Sequence, residues 1–257
     1  MISDRGKSWV NQNAWHGDRP YRADELIRIH RAAELLHDHA GELSLTRRYE
    51  LLDLGCGIGP LRPYLPQESF CIRGVEVCRE AALIAARNYD SCEAADVEQS
   101  LPFPSESFDG AHAGAILEHV IDWHAPLNHI NRVLRPGGFL VVSVPNLRYW
   151  KEIRRLLRNR QPHWLKDMEH LHGYTPAFLQ EMVRIHGFEV AGMEADRVNL
   201  PLLPDFRWVR TFFAGIGSVL ILWSRKRRSV RVENRALANQ FPEHKSVGLR
   251  SIEVPFE

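Results

Sequence analysis

Short apolar runs alternate with amphipathic segments through most of the 257-residue chain. Apolar residues at helical spacing predict a first helix over 23–39, and Gly41 is suited to end it. Further strands are predicted over 50–54, 70–76, 92–95, 108–113, 138–144, 188–194 and 218–224, and further helices from Pro60, over 79–89 and over 122–134. Strands that alternate with helices favour parallel pairing, so the pattern predicts an α/β fold with a largely parallel, doubly wound sheet of seven strands.

The alternation stops after Pro145. A basic amphipathic segment over 147–160 and an irregular stretch up to 173 predict an insertion over the sheet edge, at about 147–173. A helix is then predicted from Thr175 to Gly187, and the last two strands are expected to pair antiparallel. We therefore divide the chain into a cap region over 1–45, a core domain over 46–228 and a polar, loosely ordered tail over 229–257.

Composition narrows the class of protein only slightly. The chain carries 33 basic and 32 acidic residues, a formal charge of +1, so no global field indicates nucleic acid or an anionic membrane. Cys56, Cys71, Cys78 and Cys92 form no CxxC pair, which favours buried thiols and a cytoplasmic location. The N-terminus does not resemble a signal peptide, and the longest apolar stretch, 212–223, is too short to cross a bilayer.

A glycine-rich turn directly follows the first predicted strand. Its glycines are Gly55, Gly57 and Gly59, and Pro60 stands where a dinucleotide-binding turn carries its third glycine. Glycine allows the main chain to approach a ligand closely, and the following amides suit a polar group. The turn therefore predicts a nucleoside cofactor and argues against a bound pyrophosphate, which makes a dinucleotide oxidoreductase the weakest interpretation.

Two carboxylates follow the next predicted strands. Glu76 lies 76 − 55 = 21 residues beyond Gly55, close to the spacing of about 20 at which an acidic residue accepts ribose hydroxyls. Asp96 ends the third strand, where a carboxylate can accept from an adenine amino group. Each also has a structural interpretation, Glu76 as a solvated carboxylate at a strand end and Asp96 as a turn residue that caps nearby amides.

Together, several motifs in order resemble the class I S-adenosylmethionine-dependent methyltransferases, in particular the small-molecule (type 11) branch that includes ubiquinone and menaquinone biosynthesis enzymes. The motifs are Leu51 to Gly59, Gly74-Val75-Glu76, Asp96-Val97, Leu101-Pro102-Phe103, Ser107-Phe108-Asp109, Leu117-Glu118-His119-Val120 and Arg132 to Gly138. The resemblance covers about 49–146 and, more loosely, 172–226. It implies a Rossmann-like, three-layer α/β/α fold whose sheet includes a terminal antiparallel strand, and it makes 46–228 the methyltransferase domain. Pro63 and Pro66 depart from the family pattern and shorten the helix expected from Pro60.

The resemblance also implies the binding residues. Asp53, Gly55 and Gly57 would hold the methionine part of the cofactor, Glu76 the ribose, and Asp96 with the Val97 amide the adenine. The full cofactor-binding set it implies is Asp53, Gly55, Cys56, Gly57, Glu76, Val77, Asp96 and Val97. Asp53 also has a purely structural interpretation.

Methyl transfer needs few catalytic side chains, because the donor is already activated and the protein mainly aligns the reactants. For a hydroxyl acceptor the candidate general bases are His119 and His172, with His170 beside them, expected at the carboxyl edge of the sheet. All three also have a structural interpretation. Neither HExxH nor paired cysteines accompany the acidic, histidine-containing stretch 163–172, with its Asp167 and Glu169, so we expect no metal site.

The acceptor is a small or lipid-linked molecule by this interpretation, methylated on oxygen, nitrogen or carbon, with S-adenosylhomocysteine as the second product. Its pocket is expected to draw on Trp9, Trp15, Tyr21 and the stretches 147–173 and 200–213. The basic segments 148–160 and 225–228 leave two alternatives open, contact of 147–160 with an anionic membrane and an RNA (tRNA) methyltransferase. Near-neutral charge makes a nucleic-acid partner the weaker of these. A non-catalytic scaffold that binds S-adenosylmethionine is the remaining alternative.

Overall fold

The computed structural model describes residues 21–163, 170–199 and 207–232. Its strands are β1 (Tyr49–Leu54), β2 (Phe70–Glu76), β3 (Ser91–Ala94), β4 (Phe108–Gly114), β5 (Leu134–Pro145), β6 (Phe188–Ala195) and β7 (Val219–Lys226). Its helices are α1 (Ala23–Leu43), α2 (Arg79–Asn88), α3 (His124–Val133), α4 (Trp150–Leu157), α5 (Pro176–Ile185) and α6 (Arg207–Phe212), and a 3₁₀ turn spans Ala214–Ile216. All seven predicted strands are present, with their bounds shifted by a few residues.

The described strands form one seven-stranded sheet in the order β3-β2-β1-β4-β5-β7-β6. Strands β1 to β5 pair in parallel, and β7 lies antiparallel to both β5 and β6. The order reverses between β1 and β4, which is the switch point where doubly wound sheets bind their ligands. The predicted fold class is confirmed, including its antiparallel strand near one edge.

Each face of the sheet is covered by helices because the strand residues alternate between two apolar layers. Leu51 of β1 packs into a layer with α1 and the end of α2, whereas its neighbour Leu52 packs into the opposite layer with α3 and α5. Both leucines are fully buried. This is the three-layer α/β/α arrangement, and it places the loops at the carboxyl ends of the strands along one edge.

A buried ion pair connects α1 to β6, the strand at one edge of the sheet. Nε of Arg31 donates to Oε1 of Glu194 at 2.8 Å, and both side chains are almost completely excluded from solvent. Breaking such a pair leaves an uncompensated buried charge, which is strongly destabilising. The described part of the expected cap region therefore packs firmly on the core, although the boundary at residue 45 stays a prediction.

The structure corrects three local predictions. No helix begins at Pro60: the segment up to Leu65 consists of turns, because Pro63 and Pro66 lack the N–H groups that a helix would use. Helix α1 does not stop at Gly41 but continues to Leu43, where Ser44 takes the left-handed conformation with a φ of 46°. The start of the tail is attached rather than loose, since the amides of Val230 and Val232 donate to asparagine side chains of α3.

The four cysteines are free thiols, of which Cys56, Cys71 and Cys78 are buried and Cys92 is partly exposed. The expectation of buried thiols thus holds for three of them. Among the described residues, no helix is both long and apolar enough to span a membrane.

A buried histidine pair makes the stability of the fold sensitive to pH. His186 is fully buried; its Nδ1 donates to the carbonyl of Met182 at 2.6 Å, and its Nε2 lies 3.2 Å from Nδ1 of His124. Burial is the main cause that lowers the pKa of His186 to about 4. The unfolded chain binds this proton near pH 6.5 and the folded chain does not, so stability is expected to fall as the pH drops from about 6.5 towards 4.

We predict that His186→Leu reduces this pH dependence by up to about one proton, or about 1.4 kcal/mol per pH unit. The check is the free energy of unfolding in urea at a series of pH values between 7 and 5. His30→Leu, at an exposed position on α1, is the control and should leave the slope unchanged. A His186→Leu slope equal to that of the wild type would contradict the prediction.

Candidate functional site

The glycine-rich turn after β1 adopts the backbone conformation that its sequence predicts. Gly55, Gly57 and Gly59 have φ values of +62°, +53° and +82°, a region that side chains with a Cβ rarely adopt. A Cβ added at Gly55 would lie 2.7 Å from Cδ1 of Ile116, so the turn also packs too closely for any larger residue. The hydroxyl of Tyr21 lies 3.2 Å from the place that a Cβ would take at Gly57, which puts this expected acceptor-pocket residue at the turn.

Glu76 lies at the end of β2 and is bound to the glycine-rich turn by backbone amides. The amide of Gly57 donates to its Oε2 at 2.9 Å, and the amide of Cys78 donates to its Oε1 at 3.0 Å. Burial raises the pKa of Glu76, while these amides oppose that shift. A carboxylate has about four acceptor positions, so Glu76 keeps acceptor capacity for a ligand such as a ribose hydroxyl.

Asp53 is buried beneath the same turn, with both carboxylate oxygens engaged by side chains. Its Oδ1 pairs with Nδ1 of His112 at 2.7 Å, and its Oδ2 accepts from the hydroxyl of Tyr89 at 2.7 Å. That hydroxyl in turn accepts from the amide of Leu61 at 3.1 Å. These contacts make Asp53 a support for the turn, and its contact with a cofactor stays a prediction.

Tyr89 and His112 are the site residues that sequence reasoning missed. The signal for His112 was present: it is an ionisable residue in an apolar strand, and the parallel register of β1 and β4 sets it beside Asp53. Tyr89 has no such signal, because it follows α2 as an ordinary aromatic residue. Its position becomes meaningful only when α2 packs under the glycine-rich turn.

Asp96 and Val97 follow β3 at the same edge. Oδ1 of Asp96 accepts from the amide of Glu98 at 3.0 Å, so the expected capping role is present. Val97 is buried, Val77 is partly exposed, and Cys56 is buried with its Sγ 3.5 Å from Sγ of Cys92. The structure thus brings the predicted cofactor residues to the ends of three adjacent strands, while their contacts with a cofactor stay predictions.

Three histidines gather at the carboxyl edge, beyond the end of β4. The carbonyl of Glu118 accepts from the amides of Leu171 at 2.7 Å and His172 at 3.3 Å, and this joins the loop after β4 to the segment before α5. The rings of His119 and His170 lie 4.8 Å apart between centroids, and Nε2 of His172 lies 3.2 Å from the carbonyl of Ile121. Their expected placement is confirmed, and catalysis by His119 or His172 stays a prediction.

The expected insertion and acceptor pocket are only partly covered by the described residues. The insertion 147–173 contains α4, on which Leu157 is 83% exposed, and His163 is tied to it through its amide, which donates to Oε2 of Glu152 at 2.7 Å. The acceptor-pocket residues Trp9, Trp15, Leu200, Leu202, Leu203 and Phe206 lie outside the described residues, as do Asp167 and Glu169. A shallow cavity of about 460 Å³ lies between α1 and Arg210 of α6, and none of the predicted site residues lines it.

The hydrogen-bonding groups of this edge are suited to a nucleoside. Carboxylates at the ends of β2 and β3 can accept from hydroxyl and amino groups, and the glycine-rich turn leaves room for close approach of a backbone to a ligand. Histidines lie beyond the adjacent β4. The fold and the site therefore define a nucleoside-cofactor protein of the doubly wound α/β class.

The chain belongs to the S-adenosylmethionine-dependent methyltransferases of class I. A family model described as "Methyltransferase domain" matches residues 17–191, which is more than half of the chain. The resemblance drawn from the sequence motifs is thereby confirmed, and S-adenosylmethionine is the cofactor of the family.

Curated relatives and solved structures agree with this family. The chain is 33% identical over 152 residues to the O-methyltransferase rstn1 of Aspergillus nomiae, covering 56% of this chain and 65% of that protein. It is 33% identical over 145 residues to 27-O-demethylrifamycin SV methyltransferase of Amycolatopsis mediterranei, covering 51% of each. The chain thus spans about half to two thirds of the length of these relatives.

Among solved structures, the chain aligns with 1,6-didemethyltoxoflavin-N1-methyltransferase of Burkholderia thailandensis with a TM-score of 0.56. That structure contains bound 1,6-didemethyltoxoflavin and S-adenosylhomocysteine. It is 20% identical, and the alignment covers 87% of this chain and 86% of that one. At this identity the likeness shows a shared fold.

We predict that Tyr89→Phe destabilises the fold by about 1–3 kcal/mol, because Oδ2 of Asp53 and the buried amide of Leu61 each lose a partner. The measurement is the free energy of unfolding in urea. Tyr64→Phe, in the turn between β1 and β2, is the matched control, with an expected change below about 0.5 kcal/mol. Equal effects of the two substitutions would show that the Tyr89 hydroxyl does not support the turn.

We also predict that Glu76→Gln weakens binding of S-adenosylhomocysteine at least tenfold, because an uncharged amide is a poorer acceptor for ribose hydroxyls. Isothermal titration calorimetry measures this directly. Glu93→Gln is the control: it removes one negative charge at an exposed position of the neighbouring strand β3 and should bind S-adenosylhomocysteine like the wild type. If both variants bind equally well, Glu76 is not a ribose ligand.

Proposed function

We propose that the chain transfers a methyl group from S-adenosylmethionine to an oxygen atom of a small-molecule acceptor. The observation that carries this proposal is Glu76, whose carboxylate is fixed against the glycine-rich turn by the amides of Gly57 and Cys78. Such a fixed carboxylate is suited to the two ribose hydroxyls of a nucleoside. The family match supports the identity of the cofactor, and the name of the relative rstn1 supports oxygen as the acceptor atom.

In this proposal, one set of residues binds the cofactor and a second set accepts a proton. Glu76 with Val77 would bind the ribose, Asp96 with the Val97 amide the adenine, and the turn from Asp53 to Gly57 the methionine part. When bound, S-adenosylmethionine supplies a methyl group that its positively charged sulfur already activates. His119 or His172 would accept the proton of the acceptor hydroxyl, because a neutral imidazole has a nitrogen lone pair that can act as a general base.

Oxygen is favoured over nitrogen and carbon by the histidines of the edge. A neutral amine needs little help to attack a methyl group, whereas a hydroxyl must lose a proton on the way to the ether. The same feature argues against a pure scaffold, which has no use for a base beside the nucleoside site. A cytoplasmic location and a contact of 147–160 with an anionic membrane stay predictions.

The test is transfer of label from methyl-labelled S-adenosylmethionine to a cell extract separated into small-molecule, lipid and RNA fractions. The proposal expects label in the small-molecule fraction, in a product whose ether bond survives alkaline treatment, and no transfer with heat-denatured protein. Label confined to the RNA fraction would instead support the RNA methyltransferase. Binding of S-adenosylhomocysteine with no labelled product in any fraction would support the scaffold.

A further inference from the structure

One carboxylate and two imidazoles converge at the edge of the sheet beyond β4. A carboxylate oxygen of Glu118 and one ring nitrogen each of His119 and His170 all lie within 4.8 Å of one another. Glu118 is 1% exposed and forms the base of the cluster, while the two histidines are partly exposed and form its rim. The cluster is therefore closed below and open to solvent above.

The buried carboxylate is an exception to normal polar pairing. Within the described part of the chain, Oε2 of Glu118 has no hydrogen-bond partner although it is buried. Burying a carboxylate oxygen without a partner is costly, so such an atom calls for a ligand.

We propose that Glu118, His119 and His170 bind one divalent cation of the zinc type. Two imidazoles and one carboxylate are a ligand set that Zn²⁺ and neighbouring transition metals accept, with a further position left for a water or a substrate oxygen. The mixed set disfavours Mg²⁺, which prefers oxygen ligands throughout.

The distances are compatible with a bound ion after a small adjustment. Zinc holds nitrogen and oxygen ligands at about 2.0–2.2 Å, so the ligand atoms of one site lie roughly 3–4 Å from each other. The cluster at 4.8 Å therefore needs to close by about an ångström. Rotation of the two partly exposed imidazoles can supply this movement, while Glu118 stays fixed by the buried surroundings.

The site differs from the metal motifs that the sequence lacks. Its ligands come from two segments, Glu118-His119 after β4 and His170 before α5, which the hydrogen bonds of the Glu118 carbonyl hold together. A search for HExxH or paired cysteines passes over such a site. Among the described residues of the stretch 163–172, only His170 belongs to the cluster.

A cation at this edge would assist the proposed methyl transfer to a hydroxyl oxygen. A hydroxyl oxygen that binds a divalent cation gives up its proton more readily, by the effect that lowers the pKa of zinc-bound water to about 7. It would also fix the position of the acceptor oxygen, and because His119 is then a ligand, His172 would be the base that accepts the proton. This role rests on the proposed function, but binding of the cation does not.

The test is equilibrium dialysis of the full chain against Zn²⁺ alone, followed by measurement of bound metal. We expect one equivalent per chain, not displaced by excess Mg²⁺, and at least tenfold weaker binding for His119→Ala and His170→Ala. Glu118→Gln keeps the shape of the buried side chain and should weaken binding to a similar extent. Substitution with Co²⁺ adds a visible absorption spectrum that reports protein ligands directly.

His172→Ala is the matched control, because it removes a histidine two residues from His170 that lies outside the cluster. It should bind Zn²⁺ like the wild type. Absence of stoichiometric Zn²⁺ on the wild type, or a loss on His172→Ala as large as that on His170→Ala, would overturn the proposal. Binding of S-adenosylhomocysteine, measured on the same samples, separates the two proposals. If the protein binds S-adenosylhomocysteine but not Zn²⁺, only the metal site is refuted. If it binds Zn²⁺ but not S-adenosylhomocysteine, only the proposed function is refuted.

Discussion

The buried carboxylate of Asp53 is the constraint on which the rest of the site depends. Its two oxygens hold His112 of β4 and Tyr89 after α2, and the Tyr89 hydroxyl continues to the amide of Leu61 beyond the glycine-rich turn. One side chain thus connects two strands, a helix end and both sides of the turn. Because each of these groups is buried, losing any one leaves a polar partner unsatisfied at substantial cost.

The turn held in this way positions the ligand-facing groups. Its three glycines take left-handed conformations, and the amide of Gly57 turns inward to Glu76 instead of outward. The carboxylate of Glu76 is therefore fixed before any ligand arrives, and preorganised groups of this kind cost little ordering on binding. Across the switch point, the loop after β4 brings Glu118 and the histidines to the same carboxyl edge, so the proposed binding and the proposed chemistry would share that edge of the sheet.

Local patterning is sufficient to predict the sheet and the positions of Glu76 and Asp96 at the ends of β2 and β3. The strands were recognisable because they are short, apolar and punctuated by turn residues, and Glu76 follows from its spacing to Gly55. The prediction is wrong at Pro60, where Pro63 and Pro66 remove the donors that a helix needs, and at Gly41, where α1 continues through an exposed glycine to Leu43. Tyr89 and the meeting of His119 with His170 depend on contacts distant in sequence, and no local pattern encodes them. His112 is marked locally as an ionisable residue in an apolar strand, but its pairing with Asp53 follows only from the register of β1 and β4.

The central claim is that the edge formed by Gly57, Glu76 and Asp96 is the binding site of S-adenosylmethionine. The most direct measurement is a crystal structure of the protein with S-adenosylhomocysteine bound. The account predicts the ribose hydroxyls within about 3 Å of the Glu76 carboxylate and the adenine beside Asp96 and Val97. A nucleoside bound elsewhere on the chain, or one at this edge whose ribose avoids Glu76, would contradict it.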